Sequence, residues 1–174
     1  MILVTSPRTL RVMQGQLRFS EYPDDVLVGF LGSGIAACAR DPVMRIGAMY
    51  HFHPGDGDRA DPRAPADNAR LRCTTRNVEE LIQALHRKGG NRARLEVSLF
   101  GGVSGFGDQS GIAMDNTTFM EDLERAVGVE LRGNEMSGRC GRRVRFHPYT
   151  GEVEVALMQG TPAGTAMDRQ TATP

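Results

Sequence analysis

The sequence predicts an α+β fold with stacked mixed β-sheets and helices packed on the outside. Three observations favour it: short strand-like apolar runs follow one another directly, only two segments show a helical period, and the chain closes on a hairpin pattern. A doubly wound α/β fold would alternate strands and helices throughout. At 174 residues the chain is long enough to bury a core as one domain, predicted at 1–158.

The first predicted strands flank a glycine turn. Residues 26–30 and 35–39 are apolar runs on either side of Gly32, Ser33 and Gly34, and 45–52 is a third such run. Glycines at the mouth of a strand let a ligand approach the backbone closely. Residues 53–72 are rich in Pro, Gly, Asp and Arg without an apolar period, which predicts a long, mobile surface loop.

Two amphipathic helices are predicted next. Asn77 with Glu80 forms a capping pattern, and apolar residues then recur at helical spacing until Gly89 and Gly90 end the helix: Val78, Leu81, Ile82 and Leu85. Thr118 with Glu121 begins a second helix, which carries the apolar residues Phe119, Leu123 and Val127 and ends at Gly128.

The remaining predicted elements are strands. Leu95, Val97 and Leu99 alternate with polar residues, so 93–100 is a half-buried strand leading into Gly101 and Gly102. Residues 142–147 and 152–158 form a hairpin around the turn at 148–151. The tail, 159–174, has no apolar period and is predicted to be disordered.

Charge and hydropathy exclude several classes of partner. The formal net charge is zero and the pI about 6.9, so no basic excess indicates nucleic acid. One local cluster of arginines would be divided between two strand faces, which favours a solvated edge: Arg139, Arg142, Arg143 and Arg145. Apolar stretches are far shorter than the roughly 20 residues of a membrane span.

The cysteines predict reduced thiols in a cytoplasmic protein. They are three in number and widely spaced, without a disulfide or zinc pattern: Cys38, Cys73 and Cys140. His51 and His53 would share a strand face, as metal-binding pairs do, but Asp56 and Asp58 lie in the predicted loop and no third ligand stands out. The favoured interpretation is therefore a general base plus a loop histidine, with no metal and no cofactor.

Five motifs in order resemble the chemoreceptor glutamine deamidases, the CheD family. They cover roughly residues 12–158 and read LGSG-AAC-RDP (31–42), GAMYHF (47–52), LFGG (99–102), IAMDN (112–116) and SGRCGRRVRFHPYTGEV (137–153). The resemblance implies a cytoplasmic chemotaxis protein with a cysteine-hydrolase fold that converts receptor glutamines to glutamate. It also implies a chemoreceptor or a CheC-type phosphatase as the partner.

The resemblance further implies where the catalytic groups fall. The family motif is Leu-Gly-Ser-Cys, so its nucleophile position falls on Gly34, its base on His51 and its orienting threonine on Val28. Ser33, Gly101 and Gly102 are carried over as substrate-binding positions. Only the histidine keeps its chemical type, because glycine has no nucleophile and valine no hydrogen-bonding group. Restoring a cysteine at position 34 alone is therefore expected to recover little activity, and adding a threonine at position 28 to recover more.

Two functions follow. The first is a pseudoenzyme, a CheD-like protein that binds its partner or regulates it without deamidation. The alternative is an active deamidase. In that case either Gly34 is an introduced substitution of a catalytic cysteine, or another residue serves as the nucleophile. Cys38, four residues along the strand, is interpreted as core packing. Ser33 is nearer, but it should point in a different direction from residue 34, and a serine needs a well-placed base. The change at Val28 favours the first function.

Overall fold

Two β-sheets and two helices make up the described chain, residues 6–54, 66–101, 116–133 and 140–158 of a computed structural model. Its strands are β1 (Arg8–Arg11), β2 (Gln16–Ser20), β3 (Asp25–Leu31), β4 (Ile35–Asp41), β5 (Ile46–Phe52), β6 (Glu96–Gly101), β7 (Leu131–Gly133), β8 (Gly141–Phe146) and β9 (Val153–Met158). The helices are α1 (Ala66–Arg87) and α2 (Asn116–Val127), and a 3₁₀ turn covers Arg92–Arg94.

Both sheets mix parallel and antiparallel pairing. The first sheet has the order β1-β3-β8-β9, with β1 parallel to β3. The second sheet has the order β2-β5-β4-β6-β7, with β6 parallel to β7. The predicted α+β fold with stacked mixed sheets is therefore confirmed.

Two apolar layers hold the sheets and helices together. One joins the sheets and includes Leu27, Cys38 and Met49. The other lies between the second sheet and the helices, where Ala37 of β4 packs with Leu81 of α1. Because successive residues of a strand face opposite sides, β4 contributes to both layers. The helices thus pack outside the sheets, as predicted.

The predicted apolar periods coincide with the core. The residues on which the two helices and the strand β6 were predicted are all buried: Val78, Leu81, Ile82, Leu85, Leu95, Val97, Leu99, Phe119, Leu123 and Val127. The predicted hairpin is β8 and β9, within one residue at each boundary. The helix α2 begins two residues before the predicted Thr118.

The start of α1 corrects the sequence prediction. The helix begins at Ala66, so 66–72 are helical and only part of the predicted loop at 53–72 can be a loop. Asn77 is not a cap: it is buried in mid-helix, and its Nδ2 donates to Cys73 Sγ at 3.5 Å. Cys73, Thr74 and Asn77 form the buried face of this half, and such small or polar residues give no hydrophobic period.

Some predictions fall on other parts of the chain. β1, β2 and β7 were not predicted, because each is a short edge strand with few buried residues. Most of the predicted loop (55–65), the IAMDN motif up to residue 115 and the tail (159–174) lie outside the described residues. Among the described residues, no helix is both long and apolar enough to span a membrane.

Candidate functional site

The glycine turn connects the two sheets at one end of the stack. β3 of the first sheet ends at Leu31, and β4 of the second begins at Ile35. A Cβ atom built on Gly34 would lie 2.8 Å from His51 Nε2 and 3.1 Å from the Phe52 carbonyl oxygen. Position 34 and His51 are therefore direct neighbours, and any side chain at position 34 would point at the imidazole.

His51 is a buried, oriented imidazole. It lies on β5 opposite Ala36 and is 5% exposed. Its Nδ1 is 3.3 Å from the Val12 carbonyl oxygen, which can only accept, so Nδ1 carries the proton and Nε2 has the lone pair. Nε2 has no hydrogen-bond partner among the described residues. Burial lowers the pKa of His51, and the bond to Val12 only partly offsets this, so the ring is neutral at pH 7.

The Val28 side chain is not brought to His51. A Cβ on Gly29 would meet Met49 of the second sheet, so Gly29 faces inward and Val28, its neighbour in β3, faces the opposite side. The link to His51 is instead made by the backbone: the Val12 N–H donates to the Val28 carbonyl at 2.8 Å, and the Val12 carbonyl holds the imidazole. From this alternation we infer that a threonine at position 28 would present its hydroxyl to the opposite side of β3 and not to the ring.

The predicted substrate-binding positions are only partly assembled. Ser33 is exposed in the turn, and Gly101 pairs with Ile35, one residue beyond Gly34. Arg142 Nη1 donates to the Gly101 carbonyl at 2.5 Å, which fixes the end of β6 beside the turn. Gly102 lies outside the described residues.

None of the three cysteines forms a hydrogen bond with His51 in the part of the chain that the structure describes. Cys38 is buried in the layer between the sheets, and burial raises the pKa of its thiol far above neutrality. Cys73 is buried on α1, where its thiol donates to the His53 carbonyl at 3.8 Å, and Cys140 is exposed before β8. A thiolate is the reactive form, so Cys38 is unreactive.

A metal centre does not form in the described ranges, which contain no group of three or more His, Cys, Asp or Glu side chains. Asp56 and Asp58, which the metal alternative needed, lie outside these ranges.

Two residues of the site were missed from the sequence. Val12 acts through its carbonyl group, which any residue supplies, so no residue type could have indicated it. Arg142 was assigned to a solvated edge, and this was wrong: it is 4% exposed, because β8 alternation turns it inward while Arg143 points out. The alternation of the strand containing Arg142, Arg143 and Arg145 could have indicated that Arg142 faces inward.

Comparison with known proteins identifies the family. The model of the family described as "CheD chemotactic sensory transduction" matches residues 58–157, which follow the glycine turn and His51. A "Probable chemoreceptor glutamine deamidase CheD" of Jannaschia sp. (strain CCS1) is 46% identical over 88% of this chain and 85% of its own length. Proteins of the same description from Acidiphilium cryptum (strain JF-5) and Caulobacter sp. (strain K31) are each 36% identical, over 87% and 93% of this chain and 78% and 84% of their own lengths.

A solved structure shows a fainter likeness. The Bacillus licheniformis hypothetical protein YfiH has a TM-score of 0.42 and 9% identity, over 70% of this chain and 51% of that protein. This likeness is too slight to bear on function. The matches of the family model and of the three relatives, in contrast, extend over most of the chain, and we conclude that it belongs to the CheD family.

Proposed function

We propose that this CheD-family chain binds a chemoreceptor at a glutamine side chain and does not deamidate it. The observation that carries the proposal is the pairing of Gly34 with His51. A side chain at position 34 would point at a neutral imidazole whose Nε2 lone pair has no described partner, and glycine supplies none. The arrangement is that of a nucleophile–base pair from which the nucleophile is missing.

The chemistry of deamidation explains why the loss is severe. A thiolate must attack the glutamine carbonyl carbon, the C–N bond breaks as the imidazolium protonates the departing ammonia, and water then hydrolyses the thioester to glutamate. His51 has the tautomer that can take a proton at Nε2 and return it. With glycine at position 34 the thioester cannot form, and losing a nucleophile of this kind costs on the order of 10⁴ to 10⁶ in turnover.

Binding does not depend on the nucleophile. We propose that the substrate amide is held between the turn, where Ser33 is exposed, and Gly101, which pairs with Ile35 at the end of β6. Backbone groups and hydroxyls at such an edge can hold an amide side chain without any covalent step. The relatives are named for action on chemoreceptors, which supports a chemoreceptor as the partner. A CheC-type phosphatase stays a prediction, as no feature of the described residues favours it.

The test uses the purified cytoplasmic region of a chemoreceptor from the same organism. We expect saturable binding by surface plasmon resonance. We also expect no ammonia release above the rate of the receptor alone, and no mass gain at any receptor glutamine. Turnover by the unaltered chain that is abolished by His51→Ala would show instead that another nucleophile works with this base. Absence of binding would refute the binding role.

The second function, an active deamidase with an introduced glycine, can be distinguished from the first by the sequence of the native gene. A cysteine codon at position 34 of the native gene would make Gly34 the product of a substitution. The geometry of His51 applies to both functions, because it describes the base and not the origin of residue 34.

A further inference from the structure

The outward side of the first sheet has an unusual composition next to the glycine turn. Phe30 of β3 is 41% exposed, and Arg11 places its guanidinium carbon 4.9 Å from the Phe30 ring centroid. Arg143 is the residue directly opposite Phe30 in the β3–β8 ladder, and Arg145 is opposite Val28. We call Arg11, Phe30, Arg143 and Arg145 the arginine face.

The arginine face is positively charged. Among the described residues, the carboxylate next to the arginine face is that of Glu154 on β9, which lies 3.4 Å from Arg145 Nε. Within the described part of the chain, three guanidinium groups therefore face one carboxylate, although the full sequence has a formal net charge of zero. A concentrated positive face on a neutral chain attracts an acidic partner and repels a basic one.

The arginine face adjoins the candidate site. Phe30 is followed by Leu31, the last residue of β3 before the turn that ends in Gly34. Arg142, the strand partner of Leu31, reaches inward to the Gly101 carbonyl. The helices α1 and α2 pack on the far side of the second sheet, so neither of them covers this face.

We propose that the arginine face docks an acidic segment of the chemoreceptor whose glutamine enters the site at Gly34. This inference rests on the proposed function. Aromatic residues and arginine are enriched at protein interfaces, and arginine is among the residues that most often dominate the binding energy. The negative charge of the segment would supply complementarity, and the Phe30 ring an apolar contact at the centre. A partner bound here lies beside Leu31, three residues before Gly34 along the turn.

Binding of the purified cytoplasmic region of a chemoreceptor to four forms of the full chain tests the inference. The forms are the unaltered chain, Arg143→Glu, Phe30→Ala and the control Arg87→Glu. Arg87 ends α1 on the helix layer, so the control makes the same charge change away from the arginine face. Circular dichroism melting checks that each variant is folded, and surface plasmon resonance at two salt concentrations gives Kd and its salt dependence.

We expect Arg143→Glu to raise Kd at least about tenfold and to weaken its salt dependence. Phe30→Ala should raise Kd about tenfold with the salt dependence kept. Arg87→Glu should stay within about twofold of the unaltered chain. If the unaltered chain binds and both face variants bind equally well, the docking surface is wrong while the proposed function stands. If the unaltered chain does not bind at all, the proposed function fails and this inference fails with it.

Discussion

At the residue level, the unusual group is His51, a buried imidazole held by the Val12 carbonyl. Burial lowers its pKa below the ordinary 6.5, so the folded chain resists protonation at a pH where the unfolded chain accepts a proton. Its contribution to stability is therefore complete above pH 6.5 and is lost as the pH falls below that value. We expect the imidazole protons of His51 to titrate below pH 6.5 in an NMR titration, assigned by their loss in His51→Gln. A midpoint above 6.5 would contradict the burial described here.

Asp41 is a second residue whose environment predicts a measurable effect. Burial alone would raise the pKa of this carboxyl, but hydrogen bonds from Arg94 and from the N–H groups of Asn91, Met44 and Val43 outweigh it and hold the pKa well below the usual value. The carboxylate thus stabilises the fold above about pH 4 and ceases to do so as the pH falls further.

Asp41→Asn should cost about 2–4 kcal/mol, because it breaks the buried ion pair with Arg94 and leaves partners unsatisfied. Urea denaturation at pH 7 measures the loss. Repeating it at pH 3 should show a smaller difference between the two proteins. Glu96→Gln is a suitable control, since its 3.7 Å pair with Arg40 is partly exposed and should contribute less than about 1 kcal/mol. An equal effect of both variants would argue against the role given to Asp41.

At the level of elements, the helix α1 begins earlier in the structure than the sequence predicts. Arg70 is in the helix that begins at Ala66, whereas the sequence places it in a loop. Arg70→Pro should therefore lower the free energy of unfolding by about 3 kcal/mol, because proline removes a helical hydrogen bond and clashes with the preceding turn. Arg70→Ala serves as the control and should be nearly neutral. Both values come from urea denaturation; a neutral proline would mean that this segment is a loop after all.

The elements also show what can be predicted from sequence. Leu81, Leu123 and Val97 lie at regular apolar positions, and periodicity located their helices and strand correctly. The first half of α1 was missed because its buried face is made of Cys73, Thr74 and Asn77, which carry no apolar signal. At the proposed site, the motif named Gly34 and His51, which are neighbours in the structure, whereas the group that holds the imidazole is a backbone carbonyl that no sequence pattern specifies.

At the level of the whole molecule, the two apolar layers are predicted to unfold together. They share β4, whose Cys38 belongs to one layer and Ala37 to the other. We therefore propose one domain over 1–158 and expect a single calorimetric transition, with equal calorimetric and van 't Hoff enthalpies. Leu27→Ala and Leu81→Ala, one in each layer, should each destabilise that transition by about 2–5 kcal/mol. Two separate transitions, each sensitive to one variant only, would refute a common unit.

The measurement closest to the central claim is deamidation of a chemoreceptor fragment by Gly34→Cys, followed by mass spectrometry. The new Cβ would displace His51 Nε2 slightly, which the single 3.3 Å bond at Nδ1 permits. We predict a gain of about 1 Da at a receptor glutamine, at least about 10²-fold faster than with the unaltered chain. Gly34→Ser, of matched size, and Gly34→Cys with His51→Ala should stay at background, and adding Val28→Thr should change little. Folded Gly34→Cys that is no faster than the unaltered chain would contradict the assignment of position 34 as the missing nucleophile.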